Sequence, residues 1–312
     1  MGEGSTNTPE RGGHGGSKTG HVPVLLKEAI EFLDIKPGGM YIDATVGLGG
    51  HSFEIAKRLG VPGHLIGLDK DPAALDEARA RLTSSGREGW PQTSLLHSSF
   101  AEIGRRFEPA SADGILADLG ASSLQLDEPA RGFSFQAGGP LDMRMNPQVG
   151  PTAEQVVNHL DERELADLIY KFGEERRSRR IARAIVRSRP IRTTTQLAEI
   201  VSAAARPMNQ EQRRIHPATR TFQALRIFVN HELDDLRELL SAAPQVLKEG
   251  GRIVVISFHS LEDRIVKDAF REGVKQRRYK LLTRKPVTSG EEEISRNPRS
   301  RSAKMRAAEK IS

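Results

Sequence analysis

Cysteine is absent from this chain of 312 residues, which excludes disulfides and thiolate metal sites. No metal is expected. Long apolar runs are missing too, since nothing approaches the length of a membrane span, so no membrane partner is expected. The first 20 residues are glycine, serine, threonine and charged residues, without the apolar core of a signal peptide. They are expected to form a flexible tail on a cytoplasmic protein. What is present bounds the rest. The length suits one large domain or two modest ones, and 37% hydrophobic residues can build a sizeable core. A net charge of +6 permits a polyanionic partner without requiring one.

The first positive signal is Tyr41–Ser52, Y-I-D-A-T-V-G-L-G-G-H-S. Tyr41 and Ile42 follow the turn Pro37-Gly38-Gly39 and predict a buried strand running into Asp43. The chain then turns through Gly47, Gly49 and Gly50 into a helix beginning near Ser52. Strand, glycine turn and helix let backbone approach a nucleotide-like ligand, because glycine has no Cβ in the way. A dinucleotide fingerprint would place glycine where Ser52 stands. The spacing is instead Asp43-x-x-x-Gly47-x-Gly49, with Asp69 20 residues after Gly49 at the end of a second apolar run. An acid there can accept both ribose hydroxyls of an adenosine moiety. The form resembles the first motif of S-adenosylmethionine-dependent methyltransferases; a tight turn in another α/β enzyme is the plainer reading.

Along the chain, Leu25, Leu26, Ala29, Ile30 and Leu33 fall at helical spacing, and His21 before them is either substrate-facing or a polar loop residue. Asp71 caps a helix that has Pro72 at its first position. Ser94–His97 is a short strand, and Phe100 in its exit loop suits adenine stacking and core packing equally. Asp113–Asp118 is the fourth strand. Ligands of open parallel sheets bind beyond the carboxyl ends of the strands, which puts Asp118 where a donor should meet its acceptor. Asp43, Asp69 and Asp118 thus recur at successive strand ends.

The pattern then changes. Gln125 to Met145 is a long loop, with Phe133 and Phe135 arguing for order. Helices follow without strands between them, over 153–160, 162–172, 174–188 and 195–205, and read as an inserted all-helical domain. Glu174 to Arg192 carries arginine at 176, 177, 179, 180, 183, 187, 189 and 192 against Glu174 and Glu175 alone. That excess points to phosphate binding, beside the ordinary reading of a solvated face. A helix predicted from Pro217, with a stripe of Leu225, Phe228, Val229 and Leu233, returns the chain to the sheet. Gly250–Ser257 is a buried strand whose end places His259 toward the crevice of Asp118. Asn297–Arg306 is basic and reads as a tail that orders against a polyanion or the crevice.

Together H-V-P-V-L-L-K-E, D-A-T-V-G-L-G-G-H-S, D-L-G-A-S-S-L-Q-L-D, R-G-F-S-F, P-L-D-M-R-M, H-P-A-T-R-T-F-Q-A-L-R-I-F-V-N, I-S-F-H-S-L-E-D-R and N-P-R-S-R-S-A-K-M-R resemble one family from His21 to Arg306. It is the bacterial 16S ribosomal RNA cytosine-N4 methyltransferase family, called RsmH or MraW. The resemblance implies an α/β fold, a doubly wound Rossmann-like methyltransferase sheet over 21–145 and 233–312 carrying an inserted helical RNA-recognition domain over 146–232. It implies S-adenosylmethionine as donor and N4-methylcytidine in the decoding region of small-subunit ribosomal RNA as product, on naked RNA or a subunit particle. A monomer and a homodimer both stay open. The cofactor residues it implies are Gly49, Gly50, His51, Asp69, Phe100, Asp118 and Gln125; Asp69, Phe100 and Asp118 also follow from position alone. Many amino-methyltransferases place an Asn/Asp-Pro-Pro-aromatic turn after the fourth strand, and Asp118-Leu-Gly-Ala stands there instead. Asp118 and His259 are therefore the catalytic candidates. A binding protein without turnover and a small-molecule methyltransferase are the competing classes.

Overall fold

The computed structural model describes residues 23–83, 88–205 and 216–311. His21 and the 1–20 stretch lie outside these residues. Seven strands form one sheet: β1 Met40–Asp43, β2 His64–Asp69, β3 Gln92–His97, β4 Ala112–Asp118, β5 Leu247–Ser257, β6 Tyr279–Leu281 and β7 Lys304–Lys310. Their order is β3-β2-β1-β4-β5-β7-β6. Neighbours from β3 to β5 are parallel, and β7 runs antiparallel to both β5 and β6. The order reverses at β1, where β2 lies on one side and β4 on the other, and such a switch point opens a crevice at the carboxyl ends of the strands.

Alternation along the strands explains how both faces are covered. Ile42, Ile66, Ile115, Ile253 and Val255 face one way and pack with Leu236, Leu239 and Leu240 of the helix Glu232–Val246. Their neighbours Tyr41, Leu65, Leu116, Val254 and Ile256 face the other way, onto the helices Leu26–Leu33 and Gly50–Leu59. Each fully buried aliphatic side chain of this kind contributes roughly 1.5–3 kcal/mol.

The helices Ala153–His159, Glu162–Gly173, Ser178–Arg187, Thr194–Ala204 and Thr219–Asn230 gather around a separate core that includes Val157, Leu165, Ile169, Ile181, Ile185, Leu197 and Leu225. Two of the expected helices differ. The one predicted over 174–188 starts only at Ser178, because Glu174 adopts left-handed backbone (φ 49) and its carbonyl accepts from Arg220 Nη1 at 3.2 Å. The one predicted to run from Pro217 past Leu233 starts at Thr219 and breaks at His231 (φ 53). Asn230 just before the break donates from Nδ2 to Met143 O at 2.8 Å and accepts from Met145 N at 2.7 Å. The break thus pins the long loop, which is ordered as expected, with Phe133 buried.

The reading of Asn297–Arg306 as a tail is corrected in part. Pro298–Ser302 forms a short 3₁₀ turn, but Lys304–Lys310 is β7, inside the sheet between β5 and β6. Met305, Ala307 and Ala308 are fully buried, and Arg306 is covered while donating from Nε to Asp263 Oδ1 at 2.7 Å. Among the described residues, no helix is long and apolar enough to cross a membrane.

Candidate active site

A cavity of about 140 Å³ opens where β1, β2 and β4 end. Its floor is the turn Ala44–Gly50, and its walls come from the exits of β2, β4 and β5 and from Asn297 and Arg299. Gly47 and Gly49 have φ of 49° and 75°, which only glycine adopts without strain. Gly47, Gly50 and His51 line the cavity, whereas Gly49 is turned away from it. A Cβ on Gly49 would lie 3.3 Å from Ala78 Cα, so this glycine lets the turn pack against the helix Pro72–Thr83.

Asp69 ties that turn to β2. Its Oδ2 accepts from Gly47 N at 2.9 Å and its Oδ1 from Asp71 N at 2.8 Å, and its carboxyl group also reaches the cavity. Burial pushes the acid up to about 6 against the pull of these hydrogen bonds. Asp43, counted with Asp69 and Asp118 as a strand-end acid, is different. It is 1% exposed, does not line the cavity, and accepts from Ser52 Oγ at 2.6 Å and Thr45 N at 3.2 Å. It holds the turn from below.

Asp118 does line the cavity. Its backbone N donates to Thr45 Oγ1 at 2.6 Å, and its Oδ2 lies 3.5 Å from His51 Nδ1. His51 Nε2 lies 3.1 Å from the carbonyl of Val24, which can only accept, so that nitrogen carries the proton. The other ring nitrogen, Nδ1, faces Asp118, so a proton held by either group would join the pair. Burial, followed by the nearby Asp43, Glu262 and Glu293 carboxylates, raises the Asp118 acid well above its ordinary range. Oδ1 of Asp118 is buried without a hydrogen-bond partner. A buried carboxylate oxygen left this way suits a cationic ligand.

Phe100 lines the cavity and also packs against the sheet core. Gln125 is 3% exposed and held on both sides. Its Oε1 accepts from Ser122 N at 2.9 Å in a capping box, and its Nε2 donates to Asp71 Oδ2 at 2.9 Å. The amide thus sets the wall after β4.

The structure moves His259 out of the crevice. It caps the helix Ser260–Lys275, with Nδ1 accepting from Glu262 N at 3.4 Å, and it is not among the residues lining the cavity. Its Nε2 lies 3.2 Å from Glu262 Oε1, outside hydrogen-bond geometry. Glu262 takes the place His259 was expected to hold. It is 2% exposed, lines the cavity, and accepts at Oε2 from Phe258 N at 2.8 Å and His259 N at 3.3 Å. Burial opposes its charge, but His259 and Arg226 outweigh burial and hold the acid below its ordinary range. The sequence carried one signal for this residue: an acid three positions after a helix cap is capping-box spacing.

Glu232, His259 and Glu262 bring ligand atoms within 4.8 Å of one another, a geometry that could hold a cation. Both oxygens of Glu232 are already taken by Arg226, at 2.9 and 2.8 Å, so a guanidinium supplies the positive charge there.

In the arginine-rich stretch, Arg179, Arg180 and Arg187 are exposed, and Arg183 reaches Glu162 at 3.2 Å. Arg177 and Arg189 are braces instead. Arg177 Nη1 donates to Ala205 O and Arg189 Nε to Val157 O, both at 2.7 Å.

The model of the MraW methylase family matches residues 18–311. A protein of Koribacter versatilis called ribosomal RNA small subunit methyltransferase H is 67% identical over 305 residues, covering 97% of each chain. Its namesakes in Acidobacterium capsulatum and Solibacter usitatus are 63% and 50% identical, covering 93% of this chain and 98% and 99% of theirs.

Proposed function

This chain belongs to the MraW methylase family, and on that premise we propose that it transfers the methyl group of S-adenosylmethionine to N4 of a cytidine in the decoding region of small-subunit ribosomal RNA. The observation that carries the reading is the cavity at the switch point, bounded by a glycine turn and lined by Asp118, whose carboxylate has one oxygen without a hydrogen-bond partner. The donor carries a sulfonium and an ammonium, and Asp118 offers the charge that such a cation lacks in this site. Asp69 would accept from the ribose hydroxyls and Phe100 would pack on the adenine, with Gly50, His51 and Gln125 shaping the walls. S-adenosylmethionine supplies an electrophilic methyl group.

The protein must do the rest. The lone pair of cytosine N4 is delocalised into the ring, so the amine is a poor nucleophile that has to be aligned and kept from water. As the N–C bond forms and the methyl–sulfur bond of the donor breaks to leave a neutral thioether, the nitrogen becomes cationic and must lose a proton. Glu262, ionised and fixed by two backbone N–H groups, is the acceptor that strengthens with that developing charge. His259 is a positioning residue for Glu262. The helical block over 146–232 presents the RNA, which has to offer an unstacked base. Reaction on ribosomal RNA or a subunit particle places the protein in the cytoplasm.

Transfer of tritium from methyl-labelled donor into purified small-subunit ribosomal RNA tests the proposal. Label retained in RNA after nuclease-sensitive precipitation is expected. Donor binding without any transfer would leave a binding protein on a methyltransferase fold.

A further inference from the structure

A second depression, of about 630 Å³, lies where the helical block meets the helix Ser260–Lys275. Tyr170, Lys171, Glu174 and Arg176 line it from one side with Arg220, and Leu261 and Arg264 from the other. Tyr170 is 62% exposed, an unusual position for a large ring with nothing covering it. The charge is lopsided. Glu174 is the one carboxylate in the lining, and it is already engaged by Arg264 Nη2 at 3.0 Å and by the Ser260 hydroxyl. Lys171 and Arg176 are left without a matching acid in the lining, and Arg220 lies 3.8 Å from the Glu175 carboxylate behind it while keeping half of its side chain exposed. Arg220 is nonetheless held in place, with Nη1 donating to the Glu174 carbonyl at 3.2 Å. Lys171 Nζ lies over the Phe172 ring, 4.9 Å from its centroid, which holds the ammonium at the edge of the depression.

The position matters as much as the charge. The first turn of the helix Ser260–Lys275 borders both this depression and the cavity at the switch point, because Glu262 lines the cavity while Leu261 and Arg264 line the depression. We propose that this depression is the track for unpaired RNA on the flank of the target cytidine, with phosphates on Lys171, Arg176 and Arg220 and a base stacked on Tyr170. The inference rests on the proposed function and deepens it. Three cations with an exposed ring match a single strand, whose phosphates and bases alternate within reach of one groove. An acidic peptide would satisfy the cations and leave the ring bare. A duplex would satisfy the cations but has no free base face for Tyr170.

Anisotropy titrations with a fluorescein-labelled single-stranded RNA dodecamer, and with a hairpin of the same composition, test this on the full-length protein. The variants are Tyr170→Ala, Tyr170→Phe and the triple change Lys171→Gln, Arg176→Gln, Arg220→Gln. Tyr170→Ala should weaken single-strand binding about fivefold or more, leaving the hairpin nearly unaffected, and Tyr170→Phe should bind as wild type. The triple variant should lose about 2 from the slope of log affinity against log salt, about 0.7 for each lost phosphate contact. Donor affinity should be unchanged in all three, which also reports an intact fold. Wild-type affinity and slope in both Tyr170→Ala and the triple variant would overturn the track. So would variants that methylate naked RNA normally and fail only on subunit particles, because that outcome assigns the depression to a ribosomal protein. Absence of methyl transfer by the wild type would strike the proposed function instead.

Discussion

A carboxylate buried without a cation opposes its own charge, and Asp43 carries that cost. Burial pushes its acid up to about 6 from an ordinary 3.8, although Ser52 and Thr45 donate to it. The folded chain therefore keeps this proton to higher pH than the unfolded chain. Stability from this group is full below about pH 4 and is lost as pH rises through about 6, a loss of about 3 kcal/mol. Asp43→Asn should make that stretch of the profile shallower in urea unfolding across pH 4 to 7, with Asp69 still contributing its own share; profiles parallel to wild type would remove Asp43 as a source. Asp118 and Glu262 divide differently. Asp118→Asn should lower donor affinity and turnover together, and should abolish the proton release that calorimetry in buffers of different ionisation enthalpy detects on donor binding. Glu262→Gln should lower single-turnover rate at saturating donor with little change in donor affinity. A Glu262→Gln enzyme with wild-type rate would return the acceptor role to Asp118. His259→Asn keeps a cap but removes a group that helps hold Glu262 ionised, so its pH–rate profile should move to higher pH, while His259→Ala should in addition cost about 1 kcal/mol of stability. Strand-end position alone marked Asp69, Phe100 and Asp118 in the sequence. It could not separate Asp43 from them, because only tertiary packing shows which acid the cavity reaches. Glu262 was hidden for the same reason: its charge depends on His259 and Arg226, the latter 36 residues earlier.

At the scale of elements, periodicity recovered the parallel strands and most helices because each hides one face or both. It failed where a helix ends for reasons outside itself. Glu174 and His231 take left-handed backbone in stretches whose side chains would continue a helix, and partners far along the chain, Arg220 and the loop held by Asn230, mark each break. β6 has three residues, and β7 carries Lys304, Arg306, Glu309 and Lys310, so neither shows an apolar strand pattern. The charge of β7 is absorbed locally, Arg306 by Asp263 and Glu309 by Arg252. The segment before β7 also has a function in reach. Arg299 donates to Asp127 Oδ1 at 2.5 Å and Ser123 Oγ at 2.6 Å while lining the cavity, and so clasps the short helix Ser123–Asp127 that follows β4. Arg299→Ala should speed donor dissociation in stopped-flow chase experiments; an unchanged off-rate would make the clasp incidental. In the arginine-rich helix, Arg179→Gln, Arg180→Gln and Arg187→Gln together should weaken RNA binding and flatten its salt dependence without altering donor affinity. Equal salt slopes would leave that helix face as solvated surface.

At the scale of the molecule, two cores divide the labour. The sheet, with its layers of Ile, Val and Leu on both faces, holds the glycine turn and three strand exits rigidly around one cavity. The helical block has its own core and turns a cationic, partly aromatic surface outward beside it. In the proposed reaction the two meet: the exocyclic amine of an unstacked cytosine reaches a methyl donor bound at the switch point. Nucleoside mass spectrometry after reaction with methyl-d3 S-adenosylmethionine and small-subunit ribosomal RNA tests this most directly. The deuterated methyl should appear in a nucleoside that co-elutes with N4-methylcytidine, and it should vanish with Asp118→Asn at limiting donor. Label in 5-methylcytidine or 2′-O-methylcytidine, or in no nucleoside at all, would contradict it.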